Sequence, residues 1–205
     1  MTDNKGRIVV GITGASGSIY GLKLVETLLS RSFEVHLIIT ESGELVISEE
    51  TGLDIKDKSL AERKKELEKY FSDSNNLEYY SNEEIDSALA SGSYSVEGMI
   101  VLPCTMGTLS GISTGRSQNL LERAADVTIK EERNLIICPR EMPFNSIHLE
   151  NMLKLSRLGV TIAPPIPGFY IEPESMEDLI YHVVGKLLDI MGIENDVYNR
   201  WTGIK

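Results

Sequence analysis

The sequence predicts an α/β protein of one domain, an open parallel sheet held between two layers of helices. Three observations lead there. "RIVVGI" and "EVHLIIT" are continuous apolar runs, the pattern of parallel strands covered on both faces. Between them, "SIYGLKLVETLLSR" sets Ile19, Leu22, Val25, Leu28 and Leu29 at helical spacing, which makes a strand-helix-strand unit. From Gly98 onward the same alternation of apolar runs and helical patterns continues almost to the end of the chain.

Taken in order, the first two strands end at "TGASGS" and "TESGE", both read as loops. Residues 51–96 are charged, with a surface helix at "SLAERKKELEKYF", a loop at "SDSNN" and a short strand at "NLEYYS". Little chemistry is expected from them. "GMIVLPC" is a strand, and a helix opens near "TMGTLSGIS". "NLLERAADVTIKEER" is a helix, "NLIICP" a strand, "SIHLENMLKLSRLG" a helix and "VTIAPP" a last strand, closed by the helix "SMEDLIYHVVGKLLDIMG". Right-handed crossovers would stack these into a three-layer α/β/α Rossmann-like (flavodoxin-like) sheet. No internal repeat or low-complexity tract interrupts it, and 205 residues suffice for one domain with a substantial core.

Composition narrows the function. Hydrophobic residues at 41% and charged residues at 25% are ordinary for a soluble protein. No apolar stretch has the length of a membrane span, and the start "MTDNKGRIVV" has no signal-peptide pattern, so a cytoplasmic protein is expected. A net charge of −11 argues against nucleic acid as a partner, and an anionic small molecule would need a local basic pocket. Cys104 and Cys138 each close a strand and read as small core residues rather than a disulfide. His36, His148 and His182 are scattered singly, so no metal site is expected.

In such a sheet ligands lie beyond the carboxyl ends of the strands. Those ends carry "TGASGS", "TESGE", "PCTMGT", "PREMPF" and "PPIPGFY". The first loop is not a dinucleotide fingerprint, because Gly11, Gly14 and Gly17 are each three apart, and it is not a P-loop. It suits a phosphate all the same: glycines expose backbone amides, Thr13, Ser16 and Ser18 offer hydroxyls, and a helix start follows. The plainer alternative is a tight turn with a capping serine. The similar composition of "CTMGTLSG" favours phosphate. A short-chain dehydrogenase also begins with "TGAS", but Ser18 and Tyr20 replace its glycines and no Tyr is followed four residues later by Lys.

Arg123 and Lys130 stand seven residues apart on one face of a predicted helix. Arg140 and Glu141 follow the strand "NLIICP", Tyr170 ends the next loop, and Lys186 lies in the last helix. Singly, each cation could be a solvated surface charge. Arg140 and Glu141 are less ordinary, since they sit between prolines at the ligand edge, where a carboxylic acid beside a phosphate can act as a general acid. The residues alone point to a mononucleotide and a second anionic ligand.

Together "TGASGSIYG", "LPCTMGTLSGIS", "NLLERAADV", "KEERNLIICPREMPF", "HLENMLKL" and "GFYIEPES" resemble the UbiX-type flavin prenyltransferases, over most of the chain outside roughly residues 51–90. The resemblance implies transfer of a dimethylallyl group from dimethylallyl phosphate to N5 and C6 of reduced FMN. The prenylated FMN would go to UbiD-type decarboxylases. It implies FMN contacts at Gly14, Ala15, Ser16, Thr40, Thr105, Met106, Gly107, Thr108 and Arg140. Arg123, Lys130, Arg140, Tyr170 and Lys186 would hold the prenyl phosphate, with Glu50 and Glu141 as active-site acids and Lys130 and Arg123 counted in the catalytic set. A large homo-oligomer, a dodecamer, with sites between subunits is also implied. Thr40 and Thr105 replace the family's usual serines, Lys186 stands where some relatives have arginine, and Ile85 falls where some have an aromatic residue. The chain has no Asp-Asp pair of the kind that holds Mg²⁺ in diphosphate prenyltransferases, so metal-independent chemistry is expected. Two rivals remain: an FMN-dependent cysteine decarboxylase, whose "PASANT"-like motif is replaced by "PCTMGT", and a non-catalytic flavin-binding protein, which would be indifferent to loss of Glu141.

Overall fold

The computed structural model describes residues 5–201 and 203. Its strands are β1 (Arg7–Ile12), β2 (Glu34–Ile39), β3 (Leu77–Ser81), β4 (Gly98–Cys104), β5 (Asn134–Pro139) and β6 (Thr161–Ile162). The helices are α1 (Ser18–Ser30), α2 (Glu41–Thr51), α3 (Leu60–Tyr70), α4 (Met106–Ser113), α5 (Leu120–Lys130), α6 (Ser146–Arg157) and α7 (Met176–Ile190). Short 3-10 turns lie at Ala88–Ala90 and Phe169–Ile171.

All six strands are parallel, in the order β3-β2-β1-β4-β5-β6. The chain winds outward from β1 through β2 and β3, then returns to place β4 on the other side of β1. That reversal opens a crevice beyond the ends of β1 and β4. The period-2 alternation of strand side chains divides the core in two. Ile8, Val10 and Ile12 pack with α1 and α7 on one face, while Val9, Met99 and Val101 pack with α4 and α5 on the other. Cys138 belongs to the first core and Cys104 to the second, both as free, fully buried thiols.

The predicted three-layer architecture holds, with one helix added. "TESGE" is no loop but the opening of α2, with Thr40 as its N-cap accepting from the Gly43 amide at 3.1 Å. Gly43 reads as a breaker in the sequence, yet here it permits close packing: a Cβ would lie 2.8 Å from the Ile12 carbonyl oxygen. Gly21 does the same for α1, where a Cβ would fall 2.4 Å from the Leu102 carbonyl oxygen. These two glycines let α1 and α2 sit tightly against the strands that border the crevice.

The charged region after α2 is tied in by a buried group. Glu44, only 3% exposed, accepts from the Arg63 guanidinium at 2.8 Å and the Tyr79 hydroxyl at 3.1 Å, joining α2, α3 and β3. On the opposite layer α6 is scarcely covered. Ile147, Leu149 and Leu153 are more than half exposed, and Met142 ahead of them is 90% exposed. Large apolar side chains left open to water in this way are the kind that a binding partner covers. No helix of the described residues is long and apolar enough to cross a membrane.

Candidate active site

The crevice is knitted together by Thr13. Its hydroxyl donates to the Pro103 carbonyl at 2.8 Å and accepts from the Thr105 amide at 2.8 Å, fastening the first loop to the end of β4. Arg140 closes the third side, since its backbone amide donates to the Cys104 carbonyl and its Nε donates to the Ser16 carbonyl at 3.0 Å. The ends of β1, β4 and β5 therefore meet around one mouth.

The first loop itself differs from expectation. Glu50, at the end of α2, accepts from the amides of Gly17 and Ser18 at 3.0 and 2.9 Å and from the Ser18 hydroxyl at 2.8 Å. The anion at the start of α1 is thus the chain's own carboxylate. Burial alone would raise the Glu50 pKa, but bonds from Ser16, Ser18 and the backbone outweigh it and hold the carboxyl below its ordinary value. In this arrangement Glu50 caps the start of α1, and the bonds it accepts favour its ionised form. Thr13 and Ser18, read as phosphate-binding hydroxyls, are buried and occupied, while Ser16, which also bonds Glu50, is the exposed residue of the three.

The open helix starts belong to α2 and α4. A helix start leaves four amides without an intrahelical partner. In α4 Thr105 accepts from the Thr108 amide, and the Met106 and Gly107 amides precede it. The Thr105 hydroxyl donates to Thr108 Oγ1 at 3.0 Å, which leaves the Thr108 hydrogen to be given elsewhere. Gly107 is exposed, and a Cβ there would meet nothing nearer than 3.9 Å. Gly14 faces the α2 start so closely that a Cβ would lie 2.5 Å from Ser42 Cβ. Two helix dipoles, backbone amides and the Thr40, Ser16 and Thr108 hydroxyls fit the phosphate and polar edge of a mononucleotide. Beside the crevice a cavity of about 600 Å³ is lined by Glu41, Glu44, Asp57, Lys56 and Arg63. Its charges are mixed and partly paired, which suits an anion less well.

The remaining candidates form two further groups. Arg123 donates to the Ala90 carbonyl and pairs with Asp126 at 2.8 Å, and Lys130 pairs with Glu131 at 2.7 Å, where α5 meets the segment around residues 90–92. Among the described residues no bond joins them to Arg140 or Glu141. Tyr170 and Lys186 belong to the third group, around His182, which sequence reasoning passed over as a scattered histidine. The Tyr170 hydroxyl lies 2.9 Å from His182 Nε2, and Lys186 follows one turn later in α7. Trp201, the chain's one tryptophan, meets the Tyr170 ring edge-on at 6.1 Å and is 59% exposed. Its only signal in the sequence was an aromatic residue outside every predicted element. Glu141 is exposed and accepts from the Met142 amide at 3.0 Å, and Ile85 is 47% exposed.

A sequence model of the Flavoprotein family matches residues 1–188. A flavin prenyltransferase UbiX of Halalkalibacterium halodurans is 50% identical over 98% of this chain and 96% of its own length. The chain belongs to the UbiX-type flavin prenyltransferases. Among solved members, AnUbiX in complex with FMN and dimethylallyl pyrophosphate superposes with a TM-score of 0.86 at 35% identity, covering 98% of this chain and all of that one. A dodecameric, FMN-dependent UbiX-like decarboxylase of Escherichia coli gives 0.83 at 38% identity, covering 96% of this chain and all of its own. Within this family the helix-start amides and hydroxyls become testable as a flavin cradle. Replacing Ser16 and Thr108 together by alanine is expected to weaken FMN binding by about 1–3 kcal/mol, read by fluorescence titration. Unchanged affinity would remove both hydroxyls from the cradle.

Proposed function

We propose that this chain is a flavin prenyltransferase that binds reduced FMN across the β1–β4 crevice and joins to it the dimethylallyl group of dimethylallyl phosphate at N5 and C6. The observation that carries the reading is the placement of Arg140 and Glu141 at the mouth that also holds the two open helix starts. Gly14, Ala15, Ser16, Thr40, Thr105, Met106, Gly107, Thr108 and Arg140 bind the flavin. Arg123, Lys130, Arg140, Lys186 and Tyr170 take the prenyl phosphate.

Reduced FMN supplies the nucleophile. The chain supplies position, charge and a proton. As the ester C–O bond breaks, its electron pair leaves with the phosphate, and fixed cations neutralise the growing charge in a site closed to water. The bond to N5 would replace its N–H, and the bond to C6 would replace its C–H while the alkene's middle carbon takes up one proton, so atoms and charge balance. Glu141 gives the departing phosphate its proton. Glu50 holds the first loop in place rather than joining the transfer. Because Arg123 and Lys130 are engaged with Ala90, Asp126 and Glu131 rather than with Arg140 or Glu141, each site is completed by a second copy, within a homo-oligomer that the apolar face of α6 supports. A dodecamer fits this arrangement, in the cytoplasm, with a UbiD-type decarboxylase receiving the prenylated FMN.

The test is mass spectrometry of the flavin after anaerobic incubation with reduced FMN, dimethylallyl phosphate and EDTA. A flavin heavier by one C5 unit, formed despite the chelator, is the expected result. Unmodified flavin would favour the decarboxylase or flavin-carrier readings. A product that forms only when Mg²⁺ replaces EDTA would overturn the metal-independent phosphate pocket.

A further inference from the structure

His182 is 5% exposed, yet both of its ring nitrogens are engaged. The Gly168 amide donates to Nδ1 at 3.2 Å. A backbone N–H can only donate, so Nδ1 carries a lone pair, and the neutral ring keeps its proton on Nε2. That nitrogen faces the Tyr170 hydroxyl at 2.9 Å and donates to it. The tyrosine oxygen is then an acceptor toward the protein, and its own hydrogen is left for another partner. Burial first, and the Lys186 charge second, lower the His182 pKa, which keeps the ring neutral.

The surroundings fix the geometry as well as the tautomer. His182 meets Tyr170 edge-on at 5.4 Å and Tyr198 edge-on at 5.3 Å, and the Tyr198 hydroxyl is anchored on Asp189 at 2.7 Å. Gly168 brings its backbone against both rings: a Cβ there would lie 2.5 Å from Tyr170 Cε1 and 3.3 Å from His182 Cε1. Tyr170 is half exposed while the histidine behind it is buried. The hydroxyl of this half-exposed tyrosine is therefore held from inside the protein.

We infer that His182 is a positioning residue that fixes the Tyr170 hydroxyl as a one-way hydrogen-bond donor to the phosphate of the prenyl ester. The inference rests on the proposed function, in which Tyr170 touches that phosphate. It adds a residue that acts only through Tyr170. A hydroxyl facing an unprotonated Nε2 would give its hydrogen to the ring and turn its lone pairs toward the phosphate. Donation from Nε2 removes that alternative before the substrate arrives, and such preorganised donors stabilise developing charge without rearrangement.

The experiment is a double-mutant cycle on the full-length protein, with anaerobic steady-state kinetics in dimethylallyl phosphate and FMN affinity measured alongside. Tyr170→Phe should lower kcat/KM for the ester by about 10- to 100-fold with FMN affinity unchanged. His182→Phe, which keeps an aromatic ring against Tyr170 and Tyr198, should give a similar loss, and the double variant no further one. His182→Gln, whose amide can still donate to the tyrosine, should recover most of the activity. Recovery in glutamine but not phenylalanine separates positioning from packing. A loss in Tyr170→Phe with wild-type kinetics in His182→Phe would overturn the inference and leave the function standing, as would fully additive losses. A silent Tyr170→Phe would remove Tyr170 from the phosphate site and the inference with it.

Discussion

Glu141→Gln is expected to slow formation of the prenylated flavin by about 10²- to 10⁴-fold, the usual worth of a general acid, while FMN affinity and folding stay unchanged. Glu141 lies just past the end of β5, exposed, beside the arginine that bridges to the first loop. One carboxylate oxygen already accepts from the Met142 amide at 3.0 Å, which orients the group without burying it. Glutamine keeps that acceptor and the side-chain shape, so position survives the change. Only the transferable proton is lost. Single-turnover formation of the adduct under anaerobic conditions is the measurement, because steady-state rates can be limited by product release. A wild-type rate in the variant would mean that phosphate departs unaided.

Lys130→Ala is expected to cost about 10²- to 10³-fold in the same assay, the scale seen when one preorganised charge partner is removed from a transition state. The test of its location is more informative than the loss. Lys130 and Arg123 are engaged with Glu131, Asp126 and the Ala90 carbonyl, whereas Arg140 and Glu141 stand at the crevice. If each site draws its cations from a neighbouring copy, Lys130→Ala and Glu141→Gln disable opposite halves of the site. Co-expression of the two inactive variants should then restore activity, because some mixed sites combine two intact halves. Mixed assemblies as inactive as either parent would place both halves in one chain.

The sheet was readable because its strands are buried on both faces and write themselves as unbroken apolar runs. α2 was hidden by Gly43, which looks like punctuation in a sequence but serves a close contact with Ile12. The site was legible in its residue types and not in its pairings. Thr13, Ser16 and Ser18 are equivalent on paper, yet Pro103 claims the first and Glu50 the other two from positions far along the chain. His182 was unreadable for a similar reason. Its importance lies in the Gly168 amide and the Tyr170 hydroxyl, and neither leaves a periodic mark. The motif "PREMPF" put Arg140 and Glu141 just past a strand, and β5 does end at Pro139, since a strand end is a local property of the sequence.

The carboxylate at the start of α1 has a consequence for acid tolerance. Glu50 belongs to α2 and its donors to α1, so one proton-sensitive latch spans two helices at the rim of the mouth. Its folded pKa lies below the unfolded value, so the latch is at full strength above the ordinary carboxylate range. It weakens as pH falls through the folded pKa, when the carboxyl gains a proton and becomes a poorer acceptor. The first loop should therefore loosen on acidification while the sheet beneath it, held by apolar contacts, stays intact.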